Sequence, residues 1–421
     1  MPNIRVLVVL PLYGGSLPIG RYCQRALAGL GHSVEVFEAP DFHGAFQALK
    51  TLRVTGDRLE YLEHSFLQVV SQAVVAKVET FQPDLVLSMA QAPLSRQALK
   101  RLRRDNVATA MWFVEDFRLF TYWEGYAPYY DIFAVIQKEP LLTKLGQIGV
   151  EHALYLPLAA DPDFHRPLEL SPVERRIYGS DVSFLGAGYP NRRRAFRELM
   201  SPGLKIWGSD WDGETVLAPY LQRAGERIAP EEAVKIFNAS AINLNLHSSV
   251  STKELVPGGD FVNPRTFELA MCGAFQLVDQ RELLGELFAP DELARFSSMD
   301  QLKDLIRHYL ERPDERLAMA HKARARALSE HTYQARMAAL IDFAAKHLPT
   351  FSPKPTEQGA LAALPAEYRQ EAREILSGLG LSEEVSFKDL VWALRSRQGR
   401  LTALETSILF LEEWRRQYGQ A

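Results

Sequence analysis

Short, largely apolar runs alternate along this chain with stretches whose apolar positions recur every three to four residues. The runs Ile4–Leu10, Ser33–Phe37, Asp84–Met89, Val107–Val114 and Asp131–Ile136 read as buried strands. The helical patterns between them cover Ile19–Leu30, Arg58–Thr80, Ser95–Asp105 and Pro140–Ile148. Leu156–Pro167, with three prolines and little helical period, reads as a linker and hinge. A second set of strands follows at Asp181–Leu185, Leu204–Trp207, Ala241–Leu246 and Ala274–Val278. The matching helices are Arg192–Met200, Pro230–Asn238, Pro264–Cys272, Arg281–Leu287 and Met299–Glu311. Beyond a loop at Phe351–Gln358, three amphipathic helices are predicted at Pro365–Gly378, Ser386–Gln398 and Leu401–Tyr418. Strand and helix in alternation give two Rossmann-like α/β domains, 1–156 and 157–349, facing each other across a cleft. A small C-terminal helical appendage, 350–421, completes the chain.

The length of 421 residues suits two such domains. Formal net charge is −4, which argues against a nucleic-acid partner, because neutralising phosphates calls for a basic surface. No apolar run reaches membrane-spanning length and the N-terminus has no secretory cleavage pattern, so the expected location is the cytoplasm, with no integral membrane segment. Cys23 and Cys272 both fall in predicted helices and read as buried free thiols.

In an open parallel sheet, ligands bind beyond the carboxyl ends of the strands, so the loops there carry the candidate chemistry. After the first strand come Gly14 and Gly15, where backbone can approach a ligand and the next helix offers free N–H groups, or where the chain simply turns. Glu115 and Asp116 end the strand Val107–Val114; Asp116 is the first candidate for a general base or acceptor-orienting group, Glu115 the second. The aromatic run from Phe120 to Tyr130 could stack on sugars or pack into the core. Gly186 and Arg192 lie in the glycine- and arginine-rich start of a helix, suited to a diphosphate. Arg265 and Glu268, behind Asn263 and Thr266, share one face at another helix start. They could hold phosphate and ribose together, or form a plain i,i+3 ion pair. His247 ends a strand and is a further candidate. The histidines show no metal-ligand spacing. One D-x-D triplet, Asp161 to Asp163, lies in the linker and another, Asp210 to Asp212, follows the predicted strand Leu204–Trp207; the expectation is that no metal is bound.

The block Asn263–Arg336 contains, in order, N-P-R-T-F-E-L-A-M-C-G-A-F, E-L-L-G-E-L-F, F-S-S-M-D-Q-L and S-E-H-T-Y-Q-A-R. It is preceded by V-S-F-L-G-A-G-Y-P-N-R at Val182–Arg192, K-I-W-G-S-D-W at Lys205–Trp211 and L-P-L-A-A-D-P-D-F at Leu156–Phe164. Together these resemble GT-B glycosyltransferases of the spore-maturation CgeB-like group. The resemblance implies a nucleoside diphosphate sugar as donor, no cofactor, and a hexosyltransferase type of reaction on an unspecified acceptor. It places Glu268 at the donor ribose, the helix start Asn263–Thr266 near the diphosphate, and Gly186, Arg192 and Gly208 on the donor side. One departure stands out: eight residues before Glu268 the family's second glutamate is replaced by Asp260. The alternatives are a nucleotide-sugar epimerase on the same fold and a non-catalytic scaffold that keeps the donor site. The C-terminal helices could recruit the acceptor, form a homo-oligomer, or pack on the body.

Overall fold

The computed structural model describes residues 3–349, 351 and 368–418. The loop expected at 352–358 and the first three residues of the helix expected at 365–378 lie outside the described residues. The chain runs β1 (Arg5–Val9), α1 (Ser16–Gly29), β2 (Ser33–Phe37), α2 (His43–Lys50), α3 (Gly56–Phe81), β3 (Leu85–Met89), α4 (Arg96–Arg104), β4 (Ala108–Phe113), α5 (Trp123–Tyr126), β5 (Ile132–Val135), α6 (Leu141–Gln147) and β6 (Ala153–Tyr155). These strands form one parallel sheet in the order β2-β1-β3-β4-β5-β6. The second set is α7 (Pro172–Tyr178), β7 (Ser180–Leu185), α8 (Pro190–Arg197), β8 (Leu204–Trp207), α9 (Pro230–Ala239), β9 (Ser240–Asn245), α10 (Pro264–Met271), β10 (Gln276–Asp279), α11 (Leu284–Leu287), β11 (Ala294–Phe296), α12 (Met299–Leu310), α13 (Pro313–Glu330) and α14 (Tyr333–His347). Its sheet is ordered β11-β10-β9-β7-β8, again parallel. In both sheets the strand order reverses between the first and third strands, which fixes the crevices at β1/β3 and at β7/β9.

Every residue of β1, β3, β4, β5 and β10 is buried, as helices on both sheet faces require. Short strands such as β6 and β11 carry only three residues and too little pattern to be read from sequence.

The linker expected at Leu156–Pro167 carries no helix or strand, and much of it is packed into the core. Leu156, Leu158, Ala159 and Ala160 are buried. The Trp112 ring N–H donates to the Leu156 carbonyl, and Arg336 donates to the carbonyls of Pro157 and Leu158. This crossing is pinned because α14 leaves the second lobe and packs on α1 of the first, which puts residues of both lobes into one apolar core. Tyr333 stands at its centre, with its ring 5.2 Å from that of Tyr22 and 6.1 Å from that of Trp112.

Helices α15 (Arg369–Gly378), α16 (Phe387–Ser396) and α17 (Ala403–Tyr418) share a small core of their own. They dock on the first lobe through Arg5 to Asp389, Trp392 to Glu35 (3.1 Å) and Trp392 against Phe81. Arg5 begins β1 and Phe81 ends α3, so the appendage sits at the end of the sheet opposite the crevice. Among the described residues, no helix is long and apolar enough to cross a membrane. Cys23 and Cys272 are buried and free, and burial raises both thiols above their ordinary range.

Burial lowers the pKa of His165, His247 and His331, the last to about 4. Each stays neutral in the fold and takes up a proton on unfolding, so stability is retained above the ordinary value of about 6.5 and lost as pH falls below it. The thermal midpoint is expected to drop as the pH goes from about 6.5 towards about 4. The drop should be smaller in a His331→Asn variant, and a midpoint that stays flat in the wild type would contradict this assignment.

Candidate functional site

The crevice of the first lobe is built from the loops after β1, β3 and β4. Gly14 adopts φ +108°, a conformation that favours glycine. A Cβ there would lie 3.8 Å from the side-chain oxygen of Gln91. Gln91 itself holds φ +64°, which is strained for a residue with a side chain. Its side-chain amide donates to Glu115 at 2.6 Å, and its backbone N–H donates to the Tyr122 hydroxyl at 3.0 Å. That hydroxyl in turn donates to the other oxygen of Glu115 at 2.9 Å. Burial raises the Glu115 carboxyl above the usual carboxylate range, while the two donors pull it back down.

Asp116 belongs to a different arrangement. One of its oxygens accepts the Arg118 backbone N–H at 3.0 Å and the Gln137 amide at 3.4 Å. Gln137 also holds the Phe117 N–H and donates to Asp260 of the second lobe at 2.9 Å. Asp260 is buried, and one of its oxygens has no partner among the described residues. Gly15 starts α1, exposed and without a neighbour that a side chain would meet.

In the second lobe the loops after β7 and β8 touch backbone to backbone. Gly208, at φ +113°, leaves room for the Gly186 carbonyl, which a Cβ would meet at 2.6 Å. Arg192 lies across the β7/β9 crevice and is buried. It donates twice to the Leu246 carbonyl, at 2.9 and 2.7 Å, and once to that of Ala187 at 3.0 Å. The guanidinium expected to meet a diphosphate therefore spends these donors on the loop itself, and burial lowers it to about 10. Arg193 and Arg194 are likewise tied to backbone carbonyls.

His247 is also committed. It is buried, shares a proton with Asp279 through Nδ1 at 2.7 Å, and accepts the Asn263 N–H on Nε2 at 2.9 Å. Burial keeps its pKa low, so the proton sits on Nδ1 and the ring is neutral. It orients Asn263, whose side-chain oxygen caps α10 by accepting the Thr266 N–H at 3.1 Å and whose amide donates to Asn245. Thr266 is fully buried in the same network.

One turn in, Arg265 pairs with Glu268 at 2.6 Å and lies over the Phe237 ring at 4.6 Å. The second Glu268 oxygen faces His165 Nε2 across 3.9 Å, beyond hydrogen-bond range, which leaves it able to accept. Arg227, unremarked in the sequence, reaches from the second lobe to the Gly14 carbonyl at 3.4 Å and makes no other hydrogen bond among the described residues. Gln91 was also missed, although it follows a buried strand as Glu115 does. Among the described residues, no group of three or more His, Cys, Asp or Glu side chains could hold a metal ion.

Two parallel lobes with matching strand order and facing strand ends define the GT-B architecture. The comparisons agree with it. Residues 171–342 match the family described as glycosyl transferase-like. The spore protein CgeB of Bacillus subtilis is 24% identical over 262 residues, covering 57% of this chain and 76% of that protein. Among solved structures, Anabaena HepE in complex with UDP and glucose has a TM-score of 0.56 at 12% identity, over 82% of this chain and 100% of its own. Sucrose-phosphate synthase from Thermosynechococcus elongatus has a TM-score of 0.54 at 12% identity, over 82% and 98%. A glycosyltransferase from Rickettsia africae gives 0.55 at 12%, over 82% and 99%. The family match thus falls on the second lobe, within which the block Asn263–Arg336 lies.

Arg192→Lys is expected to cost about 1–3 kcal/mol in denaturant unfolding, because a single ammonium cannot serve these carbonyls in the planar geometry of a guanidinium. Unchanged stability with weakened ligand binding would return Arg192 to a ligand-binding role.

Proposed function

We propose that this chain transfers a hexose from a nucleoside diphosphate sugar to an acceptor hydroxyl without a bound metal ion. The observation that carries the reading is one juxtaposition. A half-buried, hydrogen-bonded carboxylate, Glu115, lies at the strand ends of the first lobe, joined through the adjacent Asp116 and Gln137 to the Asp260–Asn263 loop that leads into capped α10. The glycosyl transferase-like match covers that helix, and the solved relative HepE is described with UDP and glucose.

On this reading the Glu268 oxygen that faces His165 accepts from the donor ribose. Arg265 and Arg227 meet the diphosphate at the start of α10. The acceptor oxygen bonds to the anomeric carbon as the bond from that carbon to the diphosphate breaks. Glu115 takes the acceptor proton and the nucleoside diphosphate leaves. Glu115 suits the base because burial raises its pKa towards neutral pH and it keeps lone pairs free beyond its two donors. Asp116 orients the turn that carries Arg118.

A thermal-shift series with UDP-glucose and other nucleotide sugars, with and without chelator, tests the donor half. Stabilisation of up to about 2.7 kcal/mol at a hundredfold excess over Kd is expected, insensitive to chelator and reduced by Glu268→Ala. No response to any nucleotide would favour a scaffold that has lost the donor site, and free epimerised sugar without an acceptor would favour the epimerase.

Glu115→Gln is expected to lower kcat by about 10²–10⁴-fold. Because the base must be ionised, the acid limb of the kcat/KM profile should lie above the ordinary glutamate value of about 4.3. It should move higher still in Tyr122→Phe, which removes a donor to the carboxylate. A limb that Tyr122→Phe leaves in place would remove Glu115 from this role.

A further inference from the structure

Beside Glu115 the first lobe holds a cavity of about 250 Å³. It lies between α3 and the loops that follow β3 and β4, at the crevice end of the sheet. Leu67, Ala92, Pro93, Leu94 and Met111 make its apolar walls, and the rings of Tyr122 and Tyr126 close one side. Leu67, Ala92, Tyr122 and Tyr126 are only partly buried, although each packs on the main apolar cluster of this lobe. Their remaining exposed surface faces this space.

Gln91 and Tyr122 border the cavity and also hold the two oxygens of Glu115. A hydroxyl entering from the cavity meets these two groups before the carboxylate. The strained backbone of Gln91 is what sets its amide at that border.

The geometry points to an acceptor subsite for a neutral alcohol with a ring-sized apolar body, its hydroxyl directed to Gln91, Tyr122 and Glu115. This rests on the transferase reading above and adds the acceptor class. Size limits the part that enters: about 150 Å³ takes a benzene ring, so this space takes one substituted or fused ring. Charge limits it further. Among the described residues lining the cavity there is no arginine or lysine to pair with a phosphate or carboxylate; the imidazole present, His64, lies 3.4 Å from the Gln68 amide, and the nearby Glu115 carboxylate would repel an anion. Arg96 lies over the Tyr126 ring at 5.6 Å and does not line the cavity.

The test uses the full chain and three probes, naphthol, naphthyl phosphate and methyl glucoside, with binding followed by saturation-transfer NMR and titration. Naphthol is expected to bind best. Leu67→Trp, which fills the cavity from α3, and Ala92→Phe, which fills it from the β3 loop, are each expected to weaken it at least about tenfold. UDP-glucose stabilisation should be unchanged in whichever variant keeps the wild-type melting profile. Naphthol binding indifferent to both fillings, or exceeded by the phosphate or the glucoside, overturns the subsite while the donor result stands. Naphthol binding lost on filling, in a protein that no nucleotide sugar stabilises, supports the cavity as a ligand site and sinks the transferase reading.

Discussion

A loop that carries a binding site brings backbone carbonyls into the protein interior, and every one of them needs a donor. In this chain arginines supply many. Arg192 serves the loops after β7 and β9, Arg281 the Pro257, Gly258 and Phe261 carbonyls, and Arg336 the crossing between the lobes. Arg193 holds Gly188 and Asp212. A guanidinium suits this work because it stays charged and presents five donors in a fixed plane. Burial lowers Arg192 and Arg336 only to about 10, so both remain cations at neutral pH. The crevice loops are thereby held in shape by donors of the chain itself.

The same economy marks how far the sequence could be read. Strand and helix alternation is carried by apolar periodicity, and with it the two sheets, the capped start of α10 and the strand-end loops were legible. So were the loops that line the crevices, which the strand-end rule names, though not Gln91 and Arg227 within them. The partners of individual side chains were not. Arg192 and His247 have the right chemistry in the right loops, but their partners include a carbonyl and an aspartate far away in sequence, Leu246 and Asp279. Periodicity holds no record of such pairings. Arg265 and Glu268 were legible as a pair because their partnership is local, three residues apart on one helix.

Glu115 and Asp116 show how neighbouring carboxylates diverge. Strand geometry sends successive side chains to opposite sides, and the chain leaves β4 just before them. Glu115 turns to Gln91 and Tyr122, where burial outweighs its two donors and raises its pKa. Asp116 turns to a backbone N–H and to Gln137. Both carboxylates stand at one strand end, so only the structure separates the one buried beside two side-chain donors from the one that holds the turn at Arg118.

The contacts between the lobes divide in the same physical way. On the α1/α14 side they are aromatic and buried, with Tyr22, Trp112 and Tyr333 in one cluster. Separating the lobes there would expose rings that each bury about 150–250 Å². At the mouth the links are polar: Arg227 to Gly14, Lys138 to Glu286 and Arg118 to Asp260, with at least one exposed partner in each. Exposed pairs of this kind are worth about 0–1 kcal/mol. The buried Gln137–Asp260 bond is the exception, and it lies beside the turn that carries Asp116. The energetic asymmetry makes the α1/α14 face the fixed edge of the crevice and the polar mouth the edge that costs least to open. A ligand large enough to need entry from the side would therefore enter past Gly14 and Arg227.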